Sequence, residues 1–310
     1  MIKKTEQPLV SLIMANYNNA DYIVEALESA RNQTYKNIEV ILVDDVSADN
    51  SIEVINRYMN DHPEFSIVFH KNEINLGCGG TKHKCMELAK GEIFASLDSD
   101  DIIVPETVEL MVNEHLNHPE CSIIYSTLYE CNEKLEPQRI SAWAGEIPKG
   151  ETHLTSTGGH ISAFATCKRS FYDKTAGEDP KYIIGDDQDM YMKMEEVGAV
   201  LFFNKPLYYY RKHGNNLSWN DKSRILNAYW LLTAHEEAYI RRKKMKNQIP
   251  NLSFAEIQRK KLLYNLLLFE SDFANRDYFK SLWHLLKSLV YVYVDKDFFI
   301  LKKIRNTLRK

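Results

Sequence analysis

The sequence predicts an α/β protein: a doubly wound, mostly parallel sheet with helices on both faces, followed by a helical C-terminal appendage. Three observations predict it. Short β-rich runs alternate with segments of helical periodicity through the first hundred residues, each run closes on a polar loop, and helical spacing takes over beyond about Asp221.

Leu9-Val10-Ser11-Leu12-Ile13-Met14-Ala15 and Ile38-Glu39-Val40-Ile41-Leu42-Val43 read as the first two strands, and residues 22–33 between them place apolar side chains at helical spacing. That is a βαβ unit. A helix over about residues 51–60, a strand over 66–70, a helix over about 80–89 and the strand Glu92-Ile93-Phe94-Ala95 continue the alternation. In such sheets ligands collect outside the carboxyl ends of the strands. Here those ends are Asn16-Tyr17-Asn18-Asn19, Asp44-Asp45-Val46-Ser47, the stretch from Asn72 to Gly80, and Ser96-Leu97-Asp98-Ser99-Asp100-Asp101. From about Cys121 to Gly159 the pattern becomes mixed strands and loops. Apolar residues are spaced for burial in residues 262–269 and 281–293, which sets a boundary near residue 220 between a domain of residues 1–220 and a helical region of residues 221–310.

The chain of 310 residues carries a net charge of −4, which argues against a general nucleic-acid binder. Acidic loops occupy the first two thirds and basic runs the last third. Five cysteines form no CxxC pair, and their odd number suits a reduced cytosolic chain without zinc. The apolar run after Met1 ends at Asn16, too soon for a signal peptide, and nothing approaches the ~20 apolar residues of a membrane span. The expected location is the cytoplasm, with peripheral contact to the inner face of the membrane left open.

Each polar loop has an ordinary reading and a chemical one. Asp98, Asp100 and Asp101 could simply cap the next helix, since Asp and Ser are common N-cap and turn residues. Carboxylates this close raise one another's pKa, however, and a hard divalent cation with oxygen ligands keeps them ionised. Asp44-Asp45 suits either a helix entry or hydrogen bonding to a base or ribose. Asn75-Leu76-Gly77-Cys78-Gly79-Gly80-Thr81-Lys82 is either a glycine turn or an anion site at a helix N-terminus. It is no Walker motif, and no GxGxxG follows the first strand, against a dinucleotide enzyme. Gly185-Asp186-Asp187-Gln188-Asp189 enters an amphipathic helix expected over residues 190–197, where acids also favour the macrodipole. In Tyr208-Tyr209-Tyr210-Arg211-Lys212-His213, strand alternation would put Arg211 and His213 on one side.

Taken in order, these pieces resemble the inverting family-2 glycosyltransferases of the GT-A fold, over about Pro8 to Ser218. Pro8 to Asn18 resembles that family's opening strand, Val43-Asp44-Asp45-Val46-Ser47-Ala48-Asp49 its nucleoside loop, and Asn75-Leu76-Gly77 its third loop. Asp98-Ser99-Asp100-Asp101 matches the DxD, Asp186-Asp187 the acidic pair, and Tyr210 through Ser218 the closing motif. Val46 stands where Gly is usual, Ala15 where Thr or Pro is common, Thr81-Lys82-His83 for Ala-Arg-Asn, Asp186 for Glu and Lys193 for Arg.

The resemblance implies a metal-dependent transfer of a sugar from a nucleotide donor, UDP-linked by preference, to a hydroxyl with inversion. Asp44 and Asp45 would hold uracil and ribose, with Ala15, Asn16 and Tyr17 shaping the pocket. Lys82 would contact phosphate or nucleoside, Asp98 and Ser99 would lie near ribose or metal, and Asp100 with His213 would ligate Mn²⁺ or Mg²⁺. Arg211 would close over the diphosphate, and Asp187 would be the general base. The implied acceptor is a glycan or lipid-linked oligosaccharide. A nucleotidylyltransferase or a non-catalytic nucleotide-sugar-binding module are the alternatives. In the tail, Arg241-Arg242-Lys243-Lys244-Met245-Lys246, Arg259-Lys260-Lys261 and Lys302-Lys303-Ile304-Arg305 through Arg309-Lys310, near Trp283, Tyr291, Tyr293, Phe298 and Phe299, read as solvated helix faces, an anchor for anionic lipid, or a homodimer contact.

Overall fold

A computed structural model describes residues 7–162, 164–214, 216, 221–246 and 249–289. Asn215, Leu217 and Ser218 of the closing motif, the basic runs from Lys302 to Lys310, and Tyr291, Tyr293, Phe298 and Phe299 lie outside these residues. The chain divides into two compact units, residues 1–214 and 215–310.

The first unit runs β1 (Val10–Asn16), α1 (Ile23–Arg31), β2 (Ile38–Asp44), α2 (Ser51–Asp61), β3 (Ile67–Lys71), α3 (Gly77–Leu88), β4 (Ile93–Ser96), β5 (Ile102–Ile103), α4 (Thr107–Asn117), β6 (Cys121–Cys131), β7 (Pro137–Ile140), β8 (Ala165–Lys168), α5 (Arg169–Tyr172), α6 (Asp186–Glu195) and β9 (Ala199–Arg211). Its sheet has the order β3-β2-β1-β4-β8-β6-β9-β5, with β7 paired to β6. The expected parallel order holds from β3 to β4. Beyond β4 the sheet is mixed, because β8 runs antiparallel to both β4 and β6 while β6 and β9 are parallel. The pleat explains the two helical layers. Leu12, Met14, Val40 and Leu42 face a core shared with Ile23 and Leu27 of α1 and Ile55 of α2, whereas Ile13, Ile41 and Val43 face Cys85 and Met86 of α3 and Met190 and Met194 of α6.

The second unit contains α7 (Asp221–Lys244), α8 (Phe254–Ala274) and α9 (Tyr278–Leu289). A capping box starts α8: Ser253 Oγ accepts from the Glu256 amide at 3.2 Å and Glu256 accepts from the Ser253 amide at 2.6 Å. Among its described residues the buried apolar side chains include Ala234 and Ala238 of α7, Leu252, and Ile257, Leu262, Leu266 and Phe269 of α8. Among the described residues no helix is long and apolar enough to cross a membrane.

Candidate active site

The carboxyl ends of the parallel strands gather the polar loops. Asp44 ends β2 fully buried; its Oδ2 accepts from Asn16 Nδ2 (2.8 Å) and Ser47 Oγ (2.6 Å), and its Oδ1 from the Ser47 amide (2.9 Å). Asp45 is equally occupied. Its Oδ1 accepts from Asn72 Nδ2 and the Leu76 amide, both at 2.8 Å, and its Oδ2 from the Gly77 amide at 2.9 Å. The two carboxylates thereby lock three loops together at the strand ends where base and ribose are expected. Asn16 keeps a buried Oδ1 with no hydrogen-bond partner beside Ala15 and the half-exposed Tyr17. That orphan acceptor suits a donor N–H or O–H.

The glycine loop is likewise engaged by the protein itself. The Cys78 and Gly79 amides donate to the carbonyls of Ile183 (3.2 Å) and Tyr182 (3.0 Å), so the start of α3 holds the segment leading into α6 rather than an open anion site. Gly79 is required by that approach, since a Cβ there would lie 2.2 Å from the Tyr182 carbonyl oxygen. Val46, one residue past the Asp pair, sits at φ 63°, a conformation costly for a β-branched residue.

In the acidic loop after β4 the three aspartates have separate tasks. Asp101 is buried and accepts from the Arg211 amide and Tyr208 Oη, each at 2.7 Å. Burial, then Asp100 and Asp98, push its pKa well above the usual carboxylate range. Ser99 is buried and its Oγ accepts from Asn19 Nδ2 at 2.9 Å, tying the loop to the one after β1. Asp100 Oδ2 lies 2.9 Å from His213 Nε2. Asp98, partly exposed, lies 3.5 Å from Lys82 Nζ.

Strand alternation does not describe Arg211 and His213, because β9 ends at Arg211 and His213 lies in the turn beyond. They nevertheless meet on Asp100. Arg211 Nε donates to the Asp100 carbonyl (2.6 Å), one terminal nitrogen to the Glu133 carbonyl (2.7 Å) and the other to Glu25, while the guanidinium covers the Tyr22 ring at 4.7 Å. The buried guanidinium so engaged positions the Asp100 loop. The His213 ring packs on Tyr22 at 4.6 Å. Tyr22, Glu25, Glu133 and Tyr208 were not legible as site residues, since each acts only through partners far away in sequence.

Asp186 and Asp187 open α6. Asp186 is buried, and Lys82 Nζ lies 3.7 Å from it, so one ammonium joins the acidic pair to the loop after β4. Asp187 is half-buried and accepts from Gln188 Nε2 at 3.2 Å. Lost hydration and then repulsion by Asp186 push its pKa up to about 6, with Lys82 opposing. The start of α6 thus holds a carboxylate poised near neutrality beside a Lys-bridged acidic cluster.

A divalent metal ion fits this donor set. An aspartate oxygen and an imidazole nitrogen converge, while no group of three His, Cys, Asp or Glu among the described residues could hold an ion alone. Two protein donors leave the remaining positions to phosphate and water, the usual situation for Mg²⁺. A cavity of about 320 Å³ lined by Glu146, Glu151, Glu195 and Phe202 shares no residue with this cluster.

Residues 11–178 match Glycosyl transferase family 2, more than half of the chain. The chain belongs to this family. Within it, the chain is 32% identical over 212 residues to chondroitin synthase of Pasteurella multocida (strain Pm70), covering 68% of this chain but only 21% of that protein. It is 28% identical over 243 residues to the putative glycosyltransferase EpsH of Bacillus subtilis (strain 168), covering 76% of this chain and 70% of EpsH. In structure it resembles S. aureus TarS 1-349 in complex with UDP-GlcNAc, with TM-score 0.63, 20% identity, and coverage of 84% and 72%. It also resembles the mannosyltransferase PcManGT from Pyrobaculum calidifontis in complex with GDP-Man and Mn²⁺, with TM-score 0.60, 18% identity, and coverage of 98% and 86%. These neighbours bear out the GT-A fold expected for a family-2 member.

Proposed function

We propose that this family-2 glycosyltransferase moves a sugar from a nucleotide donor, UDP-linked by preference, to a hydroxyl of a glycan or lipid-linked oligosaccharide, with inversion and with Mn²⁺ or Mg²⁺. The observation that carries the reading is Asp187, a half-buried carboxylate with pKa near 6, in the same Lys82-bridged cluster as the Asp98–Asp100 loop. Support for the donor class comes from the neighbours' nucleotide-sugar complexes.

In this reading Ala15, Asn16 and Tyr17 frame the nucleoside, Asp44 and Asp45 hold that frame rigid, and Lys82 and Asp98 face the donor. Asp100 and His213 would hold the metal, whose bound charge would offset that of the diphosphate leaving group. Asp187 takes the acceptor hydroxyl's proton as that oxygen bonds to the anomeric carbon and the bond to the diphosphate breaks on the opposite face. Turnover on a panel of UDP-, GDP- and dTDP-sugars, for the wild type and for Asp187→Asn, tests it. Nucleotide binding without turnover in the wild type would favour a non-catalytic module instead.

The helical unit is proposed as a membrane-surface element. Phe279, Leu282, Trp283 and Leu286 are exposed on α9 at spacings of three and four residues, with Lys280 and Lys287 on the same helix. Two residues of the basic runs are engaged within the unit. Arg242 is buried and donates to the Pro250 carbonyl at 2.9 Å, and Lys261 pairs with Glu236.

A further inference from the structure

Trp143 lies in the excursion between β7 and β8, more than half exposed, with its indole stacked on the His160 ring at 4.2 Å and 21°. A lone exposed Trp needs no explanation. This one is braced. The His160 amide donates to the Trp143 carbonyl at 3.2 Å, and Ala144 bridges to His160. Behind His160, the His153 ring packs edge-on at 5.7 Å. His153 is fixed in turn: its amide donates to Glu195 (2.7 Å), its Nδ1 accepts from the Ile161 amide (3.2 Å), and its Nε2 meets Gln188 Oε1 at 2.9 Å. Gln188 also donates to Asp187. A continuous path of packed and hydrogen-bonded side chains therefore runs from the half-buried carboxylate to a rigid aromatic face open to solvent.

We infer that Trp143, backed by His160, is a binding platform for the acceptor, taking the apolar C–H face of a pyranose ring on its exposed indole face. The inference rests on the glycosyltransferase reading, because a base at Asp187 requires the acceptor hydroxyl within hydrogen-bond reach. The acceptor then extends outward from Asp187, and Trp143 is a braced, exposed aromatic surface tied to that residue through Gln188, His153 and His160. Ligand sites combine aromatic faces with a few convergent polar groups, and a ring locked from behind loses little freedom on binding.

The test is nuclear magnetic resonance on the full chain with UDP and diamagnetic Mg²⁺, using methyl β-D-glucoside and methyl N-acetyl-β-D-glucosaminide as probes. The wild type should show saturation transfer to the axial C–H protons of at least one glycoside, and a shift of the Trp143 indole resonance, assigned with Trp143→Phe. In Trp143→Ala apparent affinity for that glycoside should fall at least tenfold while UDP binding is unchanged, which also reports that the variant is folded. Trp143→Phe should recover most of the loss, and His160→Ala should reproduce part of it. A wild type that binds UDP but leaves the Trp143 resonance unmoved by both glycosides, or a Trp143→Ala variant that binds them normally, overturns this inference alone. A wild type that binds no nucleotide overturns the donor reading and this inference with it.

Discussion

Lys82 Nζ stands 3.7 Å from the carboxylate of Asp186, so a lysine in the first turns of α3 neutralises an acid at the start of α6. Both side chains are buried, and Asp98 lies 3.5 Å from the same ammonium. Removing one partner of a buried pair costs about 3–5 kcal/mol. Lys82→Met should lower stability to urea on that scale, and Lys82→Arg should recover part of it. Because Lys82 also lowers the Asp187 pKa, the acid limb of kcat/KM should move to higher pH in Lys82→Met. An unchanged limb would remove Lys82 from the electrostatics of the base.

Asp187 should act as a base only when ionised, so kcat/KM should rise with pH through about 6. Asp187→Asn should bind UDP nearly normally and lose transfer by about 10²-fold or more. Its folded pKa lies above the unfolded value, so the folded state holds the proton more tightly, and stability from this group is present at low pH and lost as pH rises through about 6. Asp187→Asn should therefore be more stable than the wild type at pH 7, by about 1–2 kcal/mol after screening of a half-buried group. The difference should shrink as pH falls toward 4. Near-normal turnover would place the base elsewhere, with Asp189 next in line.

Asp100→Ala should abolish metal-dependent UDP binding and transfer, and His213→Ala should weaken metal dependence without ending it. Isothermal titration of UDP with and without Mn²⁺ checks both. Full wild-type turnover in excess EDTA would end the metal proposal.

Val46 holds a left-handed backbone conformation that glycine adopts freely, and the strain is of the order of 1–2 kcal/mol for an L-residue. After the larger entropy loss of glycine on folding, Val46→Gly should gain about 1 kcal/mol in urea unfolding. A loss of that size instead would mean that the isopropyl group's packing outweighs the strain.

The exposed face of α9 predicts co-sedimentation with anionic vesicles at low salt and release as salt screens the surface. The double variant Phe279→Ser, Trp283→Ser should bind vesicles at least several-fold more weakly with UDP binding intact. Equal behaviour of variant and wild type would direct the search to a second copy of the chain.

The sequence alone determined the alternating strands and helices, the polar loops at the strand ends and the order of motifs that marks family 2. Those signals are local: periodicity of apolar residues, turn chemistry and runs of acids over a few positions. Helix α6 shows where locality fails, since its acids form the first turn itself, earlier than the apolar pattern indicated. What each acid does was decided by tertiary structure. Asp44 and Asp45 look like a pair facing outward only, yet Asn16, Asn72 and the amides of Ser47, Leu76 and Gly77 donate to them and tie three loops together. Asp101 is spent on Tyr208 and Arg211, while Asp100 meets His213 across more than a hundred residues. The physical reason is that a carboxylate's role depends on which donors reach its oxygens and how much water remains around it. Both are set by the register of the sheet and the docking of α3 against the segment before α6, which no spacing along the chain encodes.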